Sequence, residues 1–115
     1  MAELTIYHNA RCSKSRCTLD ILNDKDVDVK VVNYLMDTPK KEELKAIVKK
    51  LGIKPLELIR KGESIFKDSY KGKDLTDDQW IEAMVKNPIL IERPIVVKGD
   101  QAIIGRPPER VLVLL

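Results

Sequence analysis

This chain of 115 residues has one histidine, one tryptophan, one phenylalanine and two cysteines. Each scarcity closes off something. Structural zinc asks for four ligands in paired spacings; His8, Cys12 and Cys17 are three possible ligands, and no fourth soft ligand exists, so no metal site is expected. Two cysteines make a poor disulfide framework, which points to a reducing, cytoplasmic setting. No apolar run approaches the roughly 18 residues of a membrane helix, and the opening MAELTIYHN lacks the basic-then-apolar order of a signal peptide, so no membrane partner is expected. The formal net charge is only +3. A nucleic-acid binder concentrates a larger excess on one face, so no nucleic-acid partner is expected either. Internal repeats, low-complexity segments and linkers are missing.

What is present is enough for one domain over 1–115 with a true core. At this length about two-thirds of the unfolded surface can be buried, and hydrophobic residues are 43% against 34% charged, the balance of a globular protein rather than a disordered one. LTIYH at 4–8 is rich in β-formers and ends at polar residues, a short strand. Ser13 to Asn23 predicts a helix with Leu19, Ile21 and Leu22 toward the core. VDVKVVNY at 27–34 predicts a second strand, parallel to the first because a helix joins them. Thr38 and Pro39 are expected as N-cap and first-turn proline of a helix that carries Leu44, Ile47, Val48 and Leu51 on one face and stops at Gly52. Residues from about 55 to 90 predict an irregular helical block. It includes TDDQWIEAMVKN, which starts with a capping box of Thr76 and Gln79. RPIVVK and QAII flank Gly99-Asp100 and predict a hairpin; RPPERVLVLL predicts a short closing helix. The order βαβα, helical block, ββα is that of an α/β thioredoxin-like (glutaredoxin-like) domain, a mixed four-stranded sheet with a helical insertion at about 55–90. A plain ferredoxin-like fold is the alternative, but it has no large helical block before its last hairpin.

The chemistry gathers in YHNARCSKSR. Cys12 falls between the first strand and the first helix, where unpaired N–H groups and the positive end of the helix dipole favour a thiolate. Arg11, Lys14 and Arg16 add charge nearby, and Ser13 and Ser15 add hydrogen-bond donors. His8 ends the strand four residues earlier, positioned to support an anion or handle a proton. The same helix terminus suits a bound oxyanion. In the hairpin, a two-residue turn at Gly99-Asp100 pairs Lys98 with Gln101 and so sets Arg93 opposite Arg106, each followed by proline. Like charges so placed repel unless an anion lies between them. A third strand antiparallel to the first brings Arg93 toward His8 and Cys12. Arg93-Pro94 is the candidate for a cis bond before that strand.

YHNARCSKSR, LIRKGE, NPILIERPIVV and AIIGRPPERV, in that order, resemble the glutaredoxin-dependent arsenate reductase (ArsC) family over nearly the entire chain. The resemblance implies a single nucleophilic cysteine, matched by Cys12. It implies three arginines for arsenate or a similar oxyanion, matched by Arg60, Arg93 and Arg106. It also implies supporting roles for His8 and Ser15. It implies no bound cofactor, glutathione as thiol co-substrate, glutaredoxin as partner, and a monomer. Ala10 stands where many members carry proline. Spx-like regulators that bind RNA polymerase share the superfamily, as do ArsC-like thiol proteins without arsenate activity. The Spx group carries a second cysteine three residues after the first, where this chain has Ser15. Cys17 lies five positions past Cys12, about 7.5 Å along a helix and about 140° around it. A disulfide between them would need backbone movement, so Cys17 is expected as a packed, inert thiol beside Ile21.

Overall fold

The computed structural model describes residues 4–25 and 27–115. Its contacts divide into two compact units, one formed by the chain up to Asp37 together with Arg93–Leu115, the other by Thr38–Glu92.

The first unit is built on a mixed sheet of four strands: β1 (Leu4–His8), β2 (Val29–Asn33), β3 (Ile95–Lys98) and β4 (Gln101–Ile104), in the order β2-β1-β3-β4. β1 is parallel to β2 and antiparallel to β3, and this is the thioredoxin-like arrangement expected of the sequence. β1, a central strand of this sheet, buries Leu4, Ile6, Tyr7 and His8 rather than alternating. Edge strand β2 leaves Val31 exposed. The hairpin register is as expected: Gly99 takes the positive φ that the turn requires, and Lys98 pairs with Gln101. Helix α1 (Ser13–Asp24) connects β1 to β2. It lays Leu22 against Leu4, Ile6, Val96, Val111 and Leu114, with Leu19 and Ile21 packed at the margin. The closing segment Pro108–Leu114 is a 3-10 helix; three residues per turn place Pro108, Val111 and Leu114 on one buried line.

Gly105 is the tightest junction of this unit. A Cβ there would lie 2.7 Å from Thr18 Oγ1 and 2.9 Å from Pro94 Cγ. Its N–H donates to the Pro94 carbonyl at 2.9 Å, and its carbonyl accepts from the buried Thr18 hydroxyl at 3.4 Å. Only glycine lets α1 and both hairpin strands meet this closely.

The second unit is helical: α2 (Lys41–Leu51), α3 (Ser64–Ser69) and α4 (Asp77–Lys86), with 3-10 turns at Pro55–Leu58 and Pro88–Leu90. α2 buries Leu44, Ile47 and Val48 and ends at Gly52 with φ 70. Its N-cap is Lys40, not Thr38: the proline at 39 precedes the cap instead of opening the first turn, so the helix begins two residues later than the pair suggested. α4 has the capping box of Thr76 and Gln79 and buries Trp80, Ile81 and Met84. Trp80 stacks on Phe66 with centroids 6.1 Å apart. Exposed pairs Lys41–Glu82 (2.9 Å) and Lys45–Asp78 (3.0 Å) join α2 to α4; solvated pairs of this kind add little stability beside the apolar contact beneath them. A single bridge, Ile59 to Ile91, is closed by Arg60 N–H to Leu90 carbonyl at 2.7 Å and Glu92 N–H to Leu58 carbonyl at 2.8 Å.

Candidate active site

The strand registers carry the geometry past the strand ends. His8 pairs with Asn33 and Tyr7 with Ile95; one step past His8 and two past Tyr7 comes Asn9, with Tyr34 past the end of β2 on one side of it and Arg93 ahead of β3 on the other. The Gly105–Pro94 hydrogen bond extends the hairpin ladder by one step, and there the Arg106 N–H turns back to the Ile104 carbonyl at 2.9 Å. Tyr34, Asn9, Arg93 and Arg106 therefore all lie just past the strand ends, on the side where β1 hands over to α1. Both arginines precede cis prolines, Arg93-Pro94 and Arg106-Pro107; the sequence pointed only to the first.

The turn that follows β1 is fixed by Asn9. Its carbonyl accepts the Cys12 N–H at 3.0 Å and its side-chain Oδ1 accepts the Arg11 N–H at 3.0 Å, a local turn that short polar side chains favour. Arg16 reaches back to the Ala10 carbonyl at 2.8 Å. These bonds leave Cys12 in an extended conformation as the N-cap of α1, with no acidic residue in the first turn. Partial burial pushes the thiol pKa up. The Ser15 N–H, the Arg93 guanidinium and the Lys14 N–H outweigh it, and the net shift is downward. The helix terminus acts as expected. The charge acting on the sulfur, however, is that of Arg93. The side chains of Arg11 and Lys14 are exposed, where screening weakens them, and that of Arg16 is turned onto the Ala10 carbonyl.

His8 and Ser15 are both buried and meet: Ser15 Oγ lies 2.7 Å from His8 Nδ1 and accepts the Asn9 N–H at 3.0 Å. The Ser15 hydroxyl is thus committed to the histidine and the turn, while its backbone N–H faces the sulfur. Burial, and secondarily the charge of Arg16, lowers the pKa of His8, which favours the neutral imidazole.

Arg93 supplies the most informative feature. Its Nε and Nη1 are buried with no hydrogen-bond partner among the described residues. Buried polar groups are almost always paired, and an unmet guanidinium donor is costly. Arg106 is half-buried in the same unit. Arg60 belongs to the second unit, where carboxylates occupy it: Nη1 is 3.2 Å from Glu63 and Nε 3.6 Å from Glu92. Cys17 is exposed on α1, contrary to the expectation of a packed thiol. Position 17 lies about 100° or more around the helix from the one face that buries Ser15, Thr18 and Leu22, and Ile21 is itself only half-buried.

Sequence reasoning passed over Asn9 and Tyr34. Asn9 advertised itself only as a turn former. Tyr34 read as the last residue of a strand, but β2 ends at Asn33 and the phenol is 1% exposed. A cavity of about 350 Å³ lined by Asn9, Ala10, Arg11, Asn33, Leu35 and Met36 opens at this corner of the first unit. Among the described residues no group of three or more His, Cys, Asp or Glu side chains is placed to hold a metal ion, and no helix is long and apolar enough to cross a membrane.

A thioredoxin-like sheet with an ionisable cysteine capping its first helix, faced by an arginine from the cis-proline turn before β3, defines a thiol protein of the thioredoxin superfamily. The chain belongs to the ArsC family, whose model matches residues 7–114. It is similar to the uncharacterized protein YfgD of Escherichia coli strain K12, with 44% identity over 98% of this chain and 97% of that one. The arsenate reductase of Haemophilus influenzae is 42% identical, over 96% and 97% of the two chains. Among solved structures, an arsenate reductase from Vibrio cholerae superposes with a TM-score of 0.95 at 43% identity, covering 99% of this chain and 98% of that one.

Proposed function

We propose that the protein reduces arsenate to arsenite through a covalent adduct on Cys12. The observation that carries this is the pair of unmet, buried donors on Arg93 beside a thiol whose ionisation that same arginine favours. A guanidinium donates two parallel bonds to an oxyanion and keeps its charge throughout. With arsenate held by Arg93 and Arg106, the Cys12 thiolate attacks arsenic, a sulfur–arsenic bond forms, and one arsenic–oxygen bond breaks, the oxygen leaving as water. Fixed donors in a water-poor corner stabilise the charge that builds on the remaining oxygens. Two thiols are then oxidised to a disulfide as arsenic(V) becomes arsenic(III). Glutathione is the thiol co-substrate and glutaredoxin the partner that clears the mixed disulfide; both assignments, and a role for Arg60 in holding substrate, rest on the family likeness. Ser15 and His8 support the turn that presents the sulfur.

The test is arsenite formation by the purified protein with arsenate, glutathione and glutaredoxin, and its loss in Cys12→Ser. Protection of Cys12 by oxyanions without any arsenite would exclude the reductase and leave a thiol protein for a different anion.

A further inference from the structure

Tyr34 is a phenol buried to 1% exposure at the end of an edge strand, where phenylalanine would fill the same space without a polar atom to satisfy. The side chains of Arg93 and Asn9 reach its oxygen as hydrogen-bond donors; continued past the strand ends, the registers put Asn9 beside Tyr34 and Arg93 on the far side of Asn9. Those two groups lead to different parts of the site. Asn9 holds the turn that presents Cys12, through the Cys12 and Arg11 N–H groups. Arg93 carries the buried, unmet Nε and Nη1. One phenol oxygen therefore links the loop of the nucleophile to the arginine beside it.

We propose that Tyr34 is a positioning residue for Arg93: by accepting from its guanidinium and from Asn9, the phenol fixes Arg93 relative to Cys12 and leaves Nε and Nη1 for the oxyanion. This rests on the assignment of the Cys12 corner as an oxyanion site. Burial keeps the phenol neutral, so it holds the arginine as an acceptor without cancelling the charge that draws the anion. A carboxylate in its place would pair with Arg93 and compete with the substrate, as Glu63 and Glu92 pair with Arg60. Loss of one hydrogen bond from a charged donor is expected to weaken anion binding on the order of tenfold.

The experiment measures how arsenate or phosphate protects Cys12 from iodoacetamide, with the pH profile of alkylation taken alongside. In Tyr34→Phe, half-protection should require about tenfold more anion, and the Cys12 pKa should rise toward that of a free thiol. Acting through Arg93, the change should add nothing further in an Arg93→Ala background. Equal protection in Tyr34→Phe and the parent, or a full tenfold loss persisting without Arg93, would overturn the assignment of Tyr34 while leaving the oxyanion site intact. If neither anion protects the parent chain, the oxyanion site itself is wrong, and this role falls with it. Should Tyr34→Phe not fold, fluorotyrosine incorporated into the parent and into Arg93→Ala replaces it. The resonance of residue 34 should move when the arginine is removed, and an unmoved signal would overturn the proposal.

Discussion

The two units bury different kinds of residue. In the second, the buried side chains of α2, α4 and their connecting turns are apolar, from Leu44 and Ile47 through Trp80, Ile81 and Met84 to Leu90 and Ile91. Among the described residues all four buried polar ones, His8, Asn9, Ser15 and Thr18, belong to the first unit. They lie on the segment running from the end of β1 into α1. Burying polar groups costs stability unless each is paired; here His8, Asn9 and Ser15 pair with one another and with the turn that presents Cys12, and Thr18 donates to the Lys14 and Gly105 carbonyls. The two arginines repeat the contrast. Arg60 has a carboxylate on either side, whereas Arg93 keeps two buried donors without a partner. A satisfied cation stabilises its own fold; an unsatisfied one beside a thiol is what the proposed oxyanion would complete.

The largest effect is expected at the sulfur. Cys12→Ser should abolish arsenite formation, a loss of at least about a thousandfold, while thermal unfolding stays near that of the parent, because serine is itself a favoured N-cap. Appreciable turnover in this variant would move the chemistry to the exposed Cys17. Next come the arginines. Arg93→Ala should cost about a hundredfold in kcat/KM, the scale of removing one preorganised oxyanion donor, and should affect binding and turnover together. Arg60→Ala, whose Nη1 and Nε already face the Glu63 and Glu92 carboxylates, should cost less than about tenfold. Equal losses at both positions would break the contrast between satisfied and unsatisfied guanidinium.

Much of this was legible because it followed from local rules. The hairpin was fixed by Gly99-Asp100, and with it the register that runs from Lys98 opposite Gln101 to Ile95 opposite Ile104. The helix terminus at Cys12 followed from a strand ending in polar residues and a helical pattern starting at Ser13. What escaped depended on partners distant in sequence. Tyr34 differs from a surface tyrosine only through Arg93, 59 positions later, and Asn9. Gly105 read as part of a motif, yet its reason is the Thr18 hydroxyl across the sheet. Cys17 was misplaced because the helix turns its polar-lined stripe, Ser15 and Thr18, inward to serve the site. Apolar periodicity cannot anticipate a buried stripe made of hydroxyls.

That junction makes the next prediction. Gly105→Ala adds a methyl where Thr18 and the Pro94 ring leave no room, and should cost about 1–3 kcal/mol by overpacking, read from chemical denaturation. Since Gly105 is bonded to Pro94 and precedes Arg106, oxyanion protection of Cys12 should weaken as well. Unchanged stability would mean the junction yields more easily than its contacts imply. Ser15→Ala separates hydroxyl from backbone. It strips His8 Nδ1 and the Asn9 N–H of their partner and should cost about 1–3 kcal/mol. The Ser15 N–H remains, so Cys12 should keep a depressed pKa. An alkylation profile shifted to that of free cysteine would give the hydroxyl a direct part in holding the thiolate.

The smallest expected effect is in pH dependence and comes from His8. Burial, then the charge of Arg16, holds its folded-state pKa below the ordinary histidine value. Above about pH 6.5 the imidazole is neutral in folded and unfolded chains alike, and its contribution is constant. Below that, the unfolded chain takes up a proton that the folded chain refuses. Stability therefore falls with falling pH until the lowered folded value is passed, because it rises with pH wherever the unfolded state binds more protons. Urea midpoints at about pH 7.5 and about pH 5.5, measured for the parent and His8→Gln, isolate this from the carboxylates common to both. The parent should lose more on acidification than the glutamine variant, which has nothing to titrate at that position. Parallel losses would mean that His8 titrates alike in both states, and that its bond to Ser15 also tolerates the charged ring. The buried polar segment would then be no more demanding of its protonation state than the apolar unit is.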